Sequence, residues 1–403
     1  MTGPRRGGRP AWRDDRIWQA GFLVGSALGA AATVLGRRAE RAARRGLVDW
    51  ERAEQVAIDR LRSAPGRLTP EELRAAEADY AAAMARIVPR LSAALEPDLP
   101  GVVERAGVVD RAGWVHANVA TFASLIGTLE DELLDQVMPS GGGLAKATMA
   151  LANRWVTTRQ LGFLLGFMGS KVLGQYDLAL LSAEATPGRL LFVEENIRQT
   201  ARTLDVPLGP FRTWIALHET THAFEFEAHP WLRPSLADGL ERQLRLFSRE
   251  ASGLGREALR SLGRSIRGEG GAAEHWMERL MNDEQRRLFR ETQAVMSLLE
   301  GFSDYVMDEV GRDLVPGVEK ISARFHERRQ ARRSPFERAV MRLTGMDVKL
   351  EQYAKGEKFV RAIADGGGPA ALRRLWDGPE TLPRHGEIDD PGAWLRRVGP
   401  FAG

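Results

Sequence analysis

Two histidines four residues apart, His218 and His222, constrain this chain more than any other feature of its sequence. In a helix, side chains at this spacing project from the same face, so both imidazoles can reach one metal ion. Glu219 follows the first histidine directly and completes the His-Glu-x-x-His pattern of zinc hydrolases. In such sites the glutamate acts as general base on a metal-bound water. The pattern predicts one Zn²⁺ per chain, with His218 and His222 as ligands and Glu219 as catalytic base.

The residues around this pattern have the signals of a helix. Gly209-Pro210 can begin it, because proline is tolerated at the first helical position, and His229-Pro230 can end it. Phe211 and Ile215 continue the stripe of the two histidines at helical spacing, which predicts that the stripe faces a core. Hydrogen-bonded core histidines are the alternative interpretation, but this pattern on a helix favours metal binding.

A catalytic zinc usually has three protein ligands, so a third ligand is required. His229 is the nearest candidate, but it lies one residue beyond the metzincin spacing, and Glu225 replaces the glycine of that motif. Glu241 has a spacing that some zinc aminopeptidases use. Glu300 is preferred, because it lies between methionines on one face of a predicted helix that ends at Gly311.

Asp304 lies one helical turn after Glu300. We expect it to orient a ligand histidine through the second ring nitrogen. A solvated pair of surface carboxylates is the alternative interpretation of these two residues.

Several separate segments resemble known zinc peptidases. Glu300-Gly301-Phe302-Ser303-Asp304 resembles the Glu-x-x-Ser-Asp element of thermolysin-like gluzincins and the Glu-Gly-Phe segment of zinc aminopeptidases. A longer series resembles an uncharacterised actinobacterial family of zincin-like, predicted zinc-dependent metalloproteases. Its segments are 108–118, 171–177, the HExxH helix followed by Pro230-Trp231-Leu232-Arg233, 299–302, and Lys349-Leu350-x-x-Tyr353-x-x-Gly356-x-x-Phe359.

This resemblance spans roughly residues 47 to 400. It implies a mainly α, zincin-like fold with a gluzincin-type metal site on two helices and at most a small β element. It also implies His218, His222 and Glu300 as zinc ligands and Glu219 as base. One branch of the family is associated with biosynthesis of the deazaflavin coenzyme F-420, and the family has no established substrate.

A zinc hydrolase also benefits from a hydrogen-bond donor that stabilises the oxyanion. Tyr353 is the first candidate because it lies in a segment that resembles the family. Tyr305 and His326 are further candidates. A packed, hydrogen-bonded side chain is the alternative interpretation for each.

Composition narrows the classes of site and partner. The chain has no cysteine, which excludes disulfides, a Cys-type zinc site and a cysteine nucleophile. The net charge is only +3, and the basic run at 323–333 is typical of a solvated helix face, so we expect no nucleic-acid partner. A content of 43% apolar residues is enough for a substantial core.

The first 45 residues differ in character from the rest. Residues 1–16 are rich in Arg, Gly and Pro and are expected to be disordered. Residues 17–35 carry no charge and are long enough to cross a bilayer, but they are rich in Ala and Gly. A membrane anchor and a soluble helix both remain open. Arginines flank the run on both sides, so its orientation is undecided and the protein is expected to be cytoplasmic or membrane-associated.

Residues 46–403 are predicted to form one helical domain, with the metal site within 207–311. Four helices precede the site, and the last is interpreted as a buried core helix: Asp49–Ser63, Pro70–Leu95, Trp114–Met138 and Leu144–Val172. The apolar run Leu190–Val193 is the clearest strand candidate, and an edge strand beside the metal-binding helix would suit it, although four residues could equally begin the next helix. A substrate peptide could bind this edge strand by strand addition. The segment from Gly366 onward is expected to pack on the core as a C-terminal cap.

The sequence thus predicts a zinc-dependent peptidase that hydrolyses an amide bond of a peptide or protein. Two other classes remain open. One is a non-proteolytic zinc hydrolase or accessory protein linked to deazaflavin coenzyme biosynthesis. The other is a helical scaffold that keeps its metal for stability, although the intact Glu219 argues against it. The oligomeric state is undecided.

Overall fold

The structure, a computed structural model, describes residues 46–99, 101–137, 144–176, 188–243, 245–246, 281–330 and 346–399. The helices are α1 Trp50–Arg62, α2 Pro70–Leu95, α3 Arg111–Val137, α4 Leu144–Gly169, α5 Glu194–Leu204, α6 Leu208–Glu227, α7 at 232–243, α8 Asp283–Leu314, α9 Val318–Gln330, α10 Met346–Arg374, α11 His385–Asp389 and α12 Pro391–Val398. The strands are β1 Ala106–Val109, β2 Gly174–Tyr176 and β3 Leu190–Val193. The prediction of a mainly α fold with a small β element is confirmed.

The predicted N-terminal arm and uncharged run, residues 1–45, lie outside the described residues. Within the described parts of the chain, no helix combines the length and apolar character needed to cross a bilayer.

The three strands form one small sheet in the order β1-β3-β2. β1 pairs with β3 in parallel, with Ala106 opposite Leu190, and β2 pairs with β3 in antiparallel, with Tyr176 opposite Leu190. The prediction that Leu190–Val193 is an edge strand is therefore wrong. All four of its residues are buried, as the uninterrupted apolar run requires of a strand covered on both faces. β2 is the edge strand that lies beside α6.

Helix α6 begins and ends within two residues of its predicted limits. Its apolar stripe is buried as predicted, with Phe211 at 0% and Ile215 at 3% exposure. α2, α8 and the sheet all contact this helix, so α6 lies at the centre of the main hydrophobic core. A metal site on α6 is therefore built on one of the most enclosed elements of the fold.

Helix α8 crosses α6 and α10, and it does not end at Gly311 as predicted. Gly311 is buried inside the helix, where an added Cβ would lie 3.4 Å from the Leu217 side chain of α6. The glycine permits a close helix contact there and does not terminate the helix. Earlier in the same helix, Gly301 meets Gly356 of α10 so closely that a Cβ on Gly301 would lie 2.0 Å from the Gly356 carbonyl carbon. This pair lets the two backbones touch directly beside Glu300.

Helix α4 fits its prediction as a buried core helix only in its C-terminal half. Leu165 and Phe167 are buried there, and α1 crosses at Gly162 and Gly166. Among the described side chains nearer the N-terminus, Leu151, Trp155 and Val156 are exposed, with Trp155 at 61%, so the prediction is wrong at these three residues. The helix ends at Gly169 and not at Val172.

The C-terminal segment packs on the core as predicted. Trp394 is fully buried, and its indole Nε1 donates to the Thr381 carbonyl at 2.7 Å. Trp376 packs edge-on against Phe302, two residues after Glu300, with ring centroids 5.0 Å apart. The segment thus supports the part of α8 that carries the predicted third ligand.

Candidate metal centre

The structure brings the three predicted ligands together from two helices. α6 supplies His218 and His222, and α8 supplies Glu300. The Glu300 Oε2 atom lies 3.7 Å from His218 Nε2 and 3.8 Å from His222 Nε2. One ligand atom from each residue falls within 4.8 Å of the other two. The described residues contain no other group of histidines and carboxylates with this geometry.

These separations fit a shared ion better than direct hydrogen bonds. Contacts of 3.7 and 3.8 Å are too long for hydrogen bonds between imidazole nitrogen and carboxylate oxygen. Zinc in tetrahedral coordination holds nitrogen and oxygen ligands at about 2.0–2.2 Å, which places neighbouring ligand atoms roughly 3.4 Å apart. Two imidazoles and one carboxylate are also the ligand types of a catalytic zinc site with one open position. The residues present therefore fit zinc.

The second ring nitrogen of His222 is held by Glu225 and Ser303. His222 Nδ1 lies 2.8 Å from Glu225 Oε2 and 3.2 Å from Ser303 Oγ, and the serine hydroxyl donates to Glu225 Oε1 at 3.2 Å. This arrangement directs Nε2 of His222 toward Glu300. Sequence reasoning missed Glu225, although it lies three residues after His222 on the same helix and could have been found from that spacing.

Asp304, the predicted partner of a ligand histidine, is buried on α8 beside Ser303, and its role stays a prediction. Nδ1 of His218 lies 3.2 Å from the sulfur of Met307. The methionine thus fills the space behind the first histidine.

The carboxylates alter the protonation of this site. Burial disfavours the charged imidazolium of His222, but attraction and hydrogen bonding from Glu225, with further attraction from Glu300 and Glu219, raise its pKa to about 9. Burial raises the pKa of Glu225 to about 7, with partial compensation from His222 and Ser303. The site therefore favours positive charge at its centre, supplied by a proton or by a cation.

Glu219, the predicted base, is fixed by the edge strand. The backbone N–H of Tyr176 in β2 donates to Glu219 Oε2 at 3.0 Å. Gly174 lies against the stem of the same side chain, and a Cβ on this glycine would come within 2.6 Å of Glu219 Cγ. The absence of a side chain at Gly174 is therefore what lets the strand approach the glutamate.

The register of β2 places alternate backbone groups at its outer edge. Val193 N donates to the Leu173 carbonyl at 2.8 Å, which makes this a hydrogen-bonded pair of the antiparallel ladder. The next such pair is Gln175 with Leu191, so the backbone groups of Gly174 and Tyr176 point away from β3. They point toward the side on which Glu219 lies.

The end of the edge strand is held by a polar network that sequence reasoning did not find. The Tyr176 hydroxyl donates to Glu227 Oε1 at 2.9 Å and accepts from Arg233 Nη2 at 2.9 Å. Glu227 also pairs with Arg105 at 2.7 Å. Burial, with the negative charge of Glu227, raises the pKa of Tyr176 above its usual range, so the tyrosine stays neutral.

Two rival ligands from the sequence lie outside the cluster. The ring of His229 stacks on Trp376 with centroids 4.9 Å apart, and burial lowers its pKa to about 4. Glu241 is exposed on α7 and pairs with Arg245. Neither residue belongs to the group that converges with Glu300.

The predicted oxyanion donors remain predictions. Tyr353 lies in α10 and His326 in α9, but the side chains of both fall outside the described part. Tyr305 is partly buried on α8, with the Arg361 guanidinium 5.9 Å from its ring centroid. Burial raises its pKa.

Comparison with known proteins gives a family match and a similar solved structure. Residues 48–395 match the family described as zincin-like metallopeptidase. The chain is also similar to a crystal structure from Chloroflexus aurantiacus, described as a candidate hydrolase with a novel fold. The two share 33% sequence identity and superpose with a TM-score of 0.63, over 87% of this chain and 98% of the other. No curated protein matches the chain.

Proposed function

This chain belongs to the zincin-like metallopeptidase family, and from that premise we propose that it is a zinc-dependent peptidase that hydrolyses an amide bond. One observation carries the proposal: Glu219 is held by the backbone of an edge strand, immediately beside the convergent His218, His222 and Glu300. A metal kept only for stability needs no glutamate at that position.

When bound by the three ligands, zinc lowers the pKa of a water molecule and polarises the carbonyl group that the water attacks. The carboxylate of Glu219 takes a proton from the attacking water and later delivers it to the leaving nitrogen. Tyr176 N–H holds Oε2 of this carboxylate at 3.0 Å, which fixes its orientation for both transfers. Glu225 and Ser303 orient the imidazole of His222.

The substrate is proposed to be a peptide or a protein. The Tyr176 N–H is taken by Glu219, so the outward backbone groups of Gly174 and the carbonyl of Tyr176 are those that offer an extended peptide the hydrogen bonds of an additional strand. Such a peptide would run along β2 next to Glu219, with its amide bonds near the ligand cluster. Recognition through the main chain suits a substrate whose side chains vary.

The proposal is tested by measuring zinc content and peptide cleavage in the full-length chain. Glu219→Gln keeps the size of the side chain and removes the base. We expect it to retain zinc and to lower kcat/KM by about 10²–10⁴-fold, the usual contribution of a general acid–base group. Glu241→Gln is the matched control, because this glutamate is exposed and lies outside the cluster. It should cleave peptides at the wild-type rate.

Three results would overturn the proposal. Purified protein that binds no zinc after supplementation would remove its basis. Zinc-loaded Glu219→Gln with wild-type activity would show that the glutamate is not the base. If the wild type hydrolyses a non-peptide amide and no peptide, the chain is a non-proteolytic zinc hydrolase, and the peptidase assignment is wrong.

A further inference from the structure

Strand β2 holds Glu219 in place, yet the strand itself is short and is paired on one side only. It has three residues and lies at the edge of the sheet beside β3. From this edge the Tyr176 N–H donates to Glu219 Oε2 at 3.0 Å. The backbone of a short edge strand specifies its register only weakly, so side chains must fix it. The group that fixes the register of β2 therefore also fixes the orientation of the Glu219 carboxylate.

The side chain of Gln175 is placed to fix this register. Successive side chains of a strand point to opposite faces. Tyr176 stacks on Phe226 of α6, with ring centroids 5.9 Å apart, so Gln175 points away from α6 and toward α3. The glutamine is polar but only 9% exposed, and a buried carboxamide needs hydrogen-bond partners.

Gln175 finds its partners in two buried residues of α3, which lie one helical turn apart. The indole Nε1 of Trp114 donates to Gln175 Oε1 at 2.6 Å, and Gln175 Nε2 donates to Asn118 Oδ1 at 2.7 Å. Asn118 Nδ2 donates in turn to the backbone carbonyl of Trp114 at 2.8 Å, which closes a ring of three hydrogen bonds. We call Trp114, Asn118 and Gln175 the Gln175 clamp.

The direction of every hydrogen bond in the Gln175 clamp is determined. An indole N–H can only donate and a backbone carbonyl can only accept. Asn118 must therefore turn its NH₂ group to the carbonyl of Trp114, which leaves its oxygen for Gln175. Gln175 must then donate to Asn118 and accept from the indole. A shift of β2 by one residue would break both bonds to Gln175 and leave a buried indole donor without its acceptor, which is costly.

The Gln175 clamp also joins β2 to a second hydrophobic core. Trp114 packs there with Leu61 of α1 and Leu165 of α4. Tyr176, the next residue of the strand, belongs to the main core instead. The two cores therefore hold opposite faces of β2. Through this strand, the helices α1, α3 and α4 can act on a site whose ligands are carried by α6 and α8.

We propose that Gln175 is a positioning residue for the reaction proposed above: held by Trp114 and Asn118, it fixes the register of β2 and so directs the Tyr176 N–H at Glu219. This inference rests on the proposed function, because it gives a purpose to the orientation of the base. The clamp acts through the strand and not on the ligand cluster. Its loss should therefore disturb Glu219 and leave zinc bound.

The first test measures whether the clamp holds the strand, and it does not depend on activity. Gln175→Met in the full-length chain keeps the length of the side chain and removes both polar contacts. Gln243→Met is the matched control, because Gln243 is 8% exposed and donates to the Leu288 carbonyl at 2.9 Å and to Thr292 Oγ1 at 2.6 Å. These bonds join α7 to α8 and do not involve β2.

Amide hydrogen exchange of residues 174–176 is followed by mass spectrometry, and zinc content by elemental analysis. We expect roughly tenfold faster exchange in Gln175→Met, because local opening of the strand becomes easier. Exchange at these residues should stay at the wild-type rate in Gln243→Met, with zinc retained in both variants.

The second test separates positioning of the base from a general effect on folding. We expect kcat for peptide cleavage to fall roughly tenfold in Gln175→Met and to stay unchanged in Gln243→Met, since small misplacement of a catalytic group is costly. In a Glu219→Gln background, Gln175→Met should cause no further fall of kcat. A residue that acts through Glu219 has nothing left to position there.

Three outcomes would overturn the inference. Wild-type exchange at 174–176 in Gln175→Met would show that the clamp does not hold the strand, and equally faster exchange in Gln243→Met would show only a general loosening. A further tenfold fall of kcat in the Glu219→Gln background would show that Gln175 acts independently of the base. If Gln175→Met does not fold, Asn118→Leu removes one bond of the clamp and should raise exchange at the same residues by a smaller factor. If the wild type cleaves no peptide, the proposed function fails, and the exchange rates still decide whether the clamp holds β2.

Discussion

Helix α6 carries two polar clusters that meet the cost of buried charge in different ways. Near its beginning, Arg212 pairs with Glu194, whose side chain is completely buried. Arg198 also pairs with Glu194 at 2.7 Å, and the Tyr80 hydroxyl donates to it at 3.1 Å. Permanent guanidinium charges balance the carboxylate there, and the group is complete without a ligand.

Two turns further along α6, carboxylates surround the imidazoles of His218 and His222. Here the positive charge is conditional, because an imidazole carries it only when protonated. Glu300 stands 3.7 and 3.8 Å from the two Nε2 atoms, close to the separation of ligand atoms around one shared cation. The first cluster therefore balances its own charge, whereas we propose that the second holds a metal ion. Both clusters are largely buried, so burial alone does not distinguish them. They differ in whether the positive charge comes from arginine or from a protonated histidine.

If the two clusters differ in this way, the largest effect on zinc content is expected for His222→Ala. We expect bound zinc to fall from one ion per chain to almost none, because two remaining ligands are too few for a structural or catalytic site. Elemental analysis of the purified protein measures this loss. His229→Ala is the matched control, since His229 stacks on Trp376 outside the cluster. Equal zinc loss in both variants would contradict the assigned ligand set.

Arg212→Met should instead affect stability and leave zinc in place. Removing the guanidinium leaves Glu194 buried without this partner, which costs about 3–5 kcal/mol of the free energy of unfolding. Denaturant titration gives the value, and elemental analysis of the folded variant gives zinc content. Arg90→Met breaks an exposed pair with Asp313 at 3.4 Å and should cost at most about 1 kcal/mol. Loss of zinc from folded Arg212→Met would mean that the two clusters are coupled.

Glu225→Gln tests whether the carboxylate behind His222 belongs with the metal site. We expect zinc affinity to fall by about 10–100-fold, because such a partner orients the imidazole and raises its basicity as a ligand. Competition with a chelator measures the affinity. Glu227→Gln on the same helix serves for comparison, because Glu227 contacts Arg105 and Tyr176. Unchanged affinity in Glu225→Gln would remove Glu225 from the metal site.

Gly174→Ala should give the smallest of these effects. The added Cβ would come within 2.6 Å of Glu219 Cγ, so the glutamate must shift from its present position. We expect kcat/KM to fall by about tenfold with zinc retained, since small misplacement of a catalytic group is costly. Gly107→Ala in β1 meets only an ordinary contact of 3.5 Å to Leu191 and should be nearly silent. A drop of the same size in both variants would point to a general effect on the sheet.

The sequence was sufficient to predict which three side chains converge on two helices, because its signals are local. His218, Glu219 and His222 lie within one helix, and the limits of that helix follow from Pro210 and Pro230. Glu300 was reached through its placement between methionines on a second predicted helix. In each case the pattern lies within a single helix, and the structure adds only how α6 and α8 pack against each other.

The sequence did not predict features that depend on contacts between segments far apart in the chain. The place of Leu190–Val193 in the sheet depends on its pairing with β1, which lies more than eighty residues earlier. β1 has only four half-buried residues, so its sequence gives little sign of a strand. The contact between Tyr176 and Glu219 depends on the register of β2, which no local pattern specifies. Gly311 resembled a helix terminus because the contact with Leu217 that explains it is tertiary.

The contact between Gly301 and Gly356 has a consequence for the order in which the chain is made. Glu300 is the neighbour of Gly301, yet the distance between α8 and α10 at this point is set by Gly356, which comes more than fifty residues later in the chain. During synthesis the N-terminal parts of a chain emerge first. The nascent protein therefore has both histidines and Glu300 well before α10, the helix that packs against α8 beside this glutamate, leaves the ribosome. We expect tight metal capture to wait until Gly356 has been made.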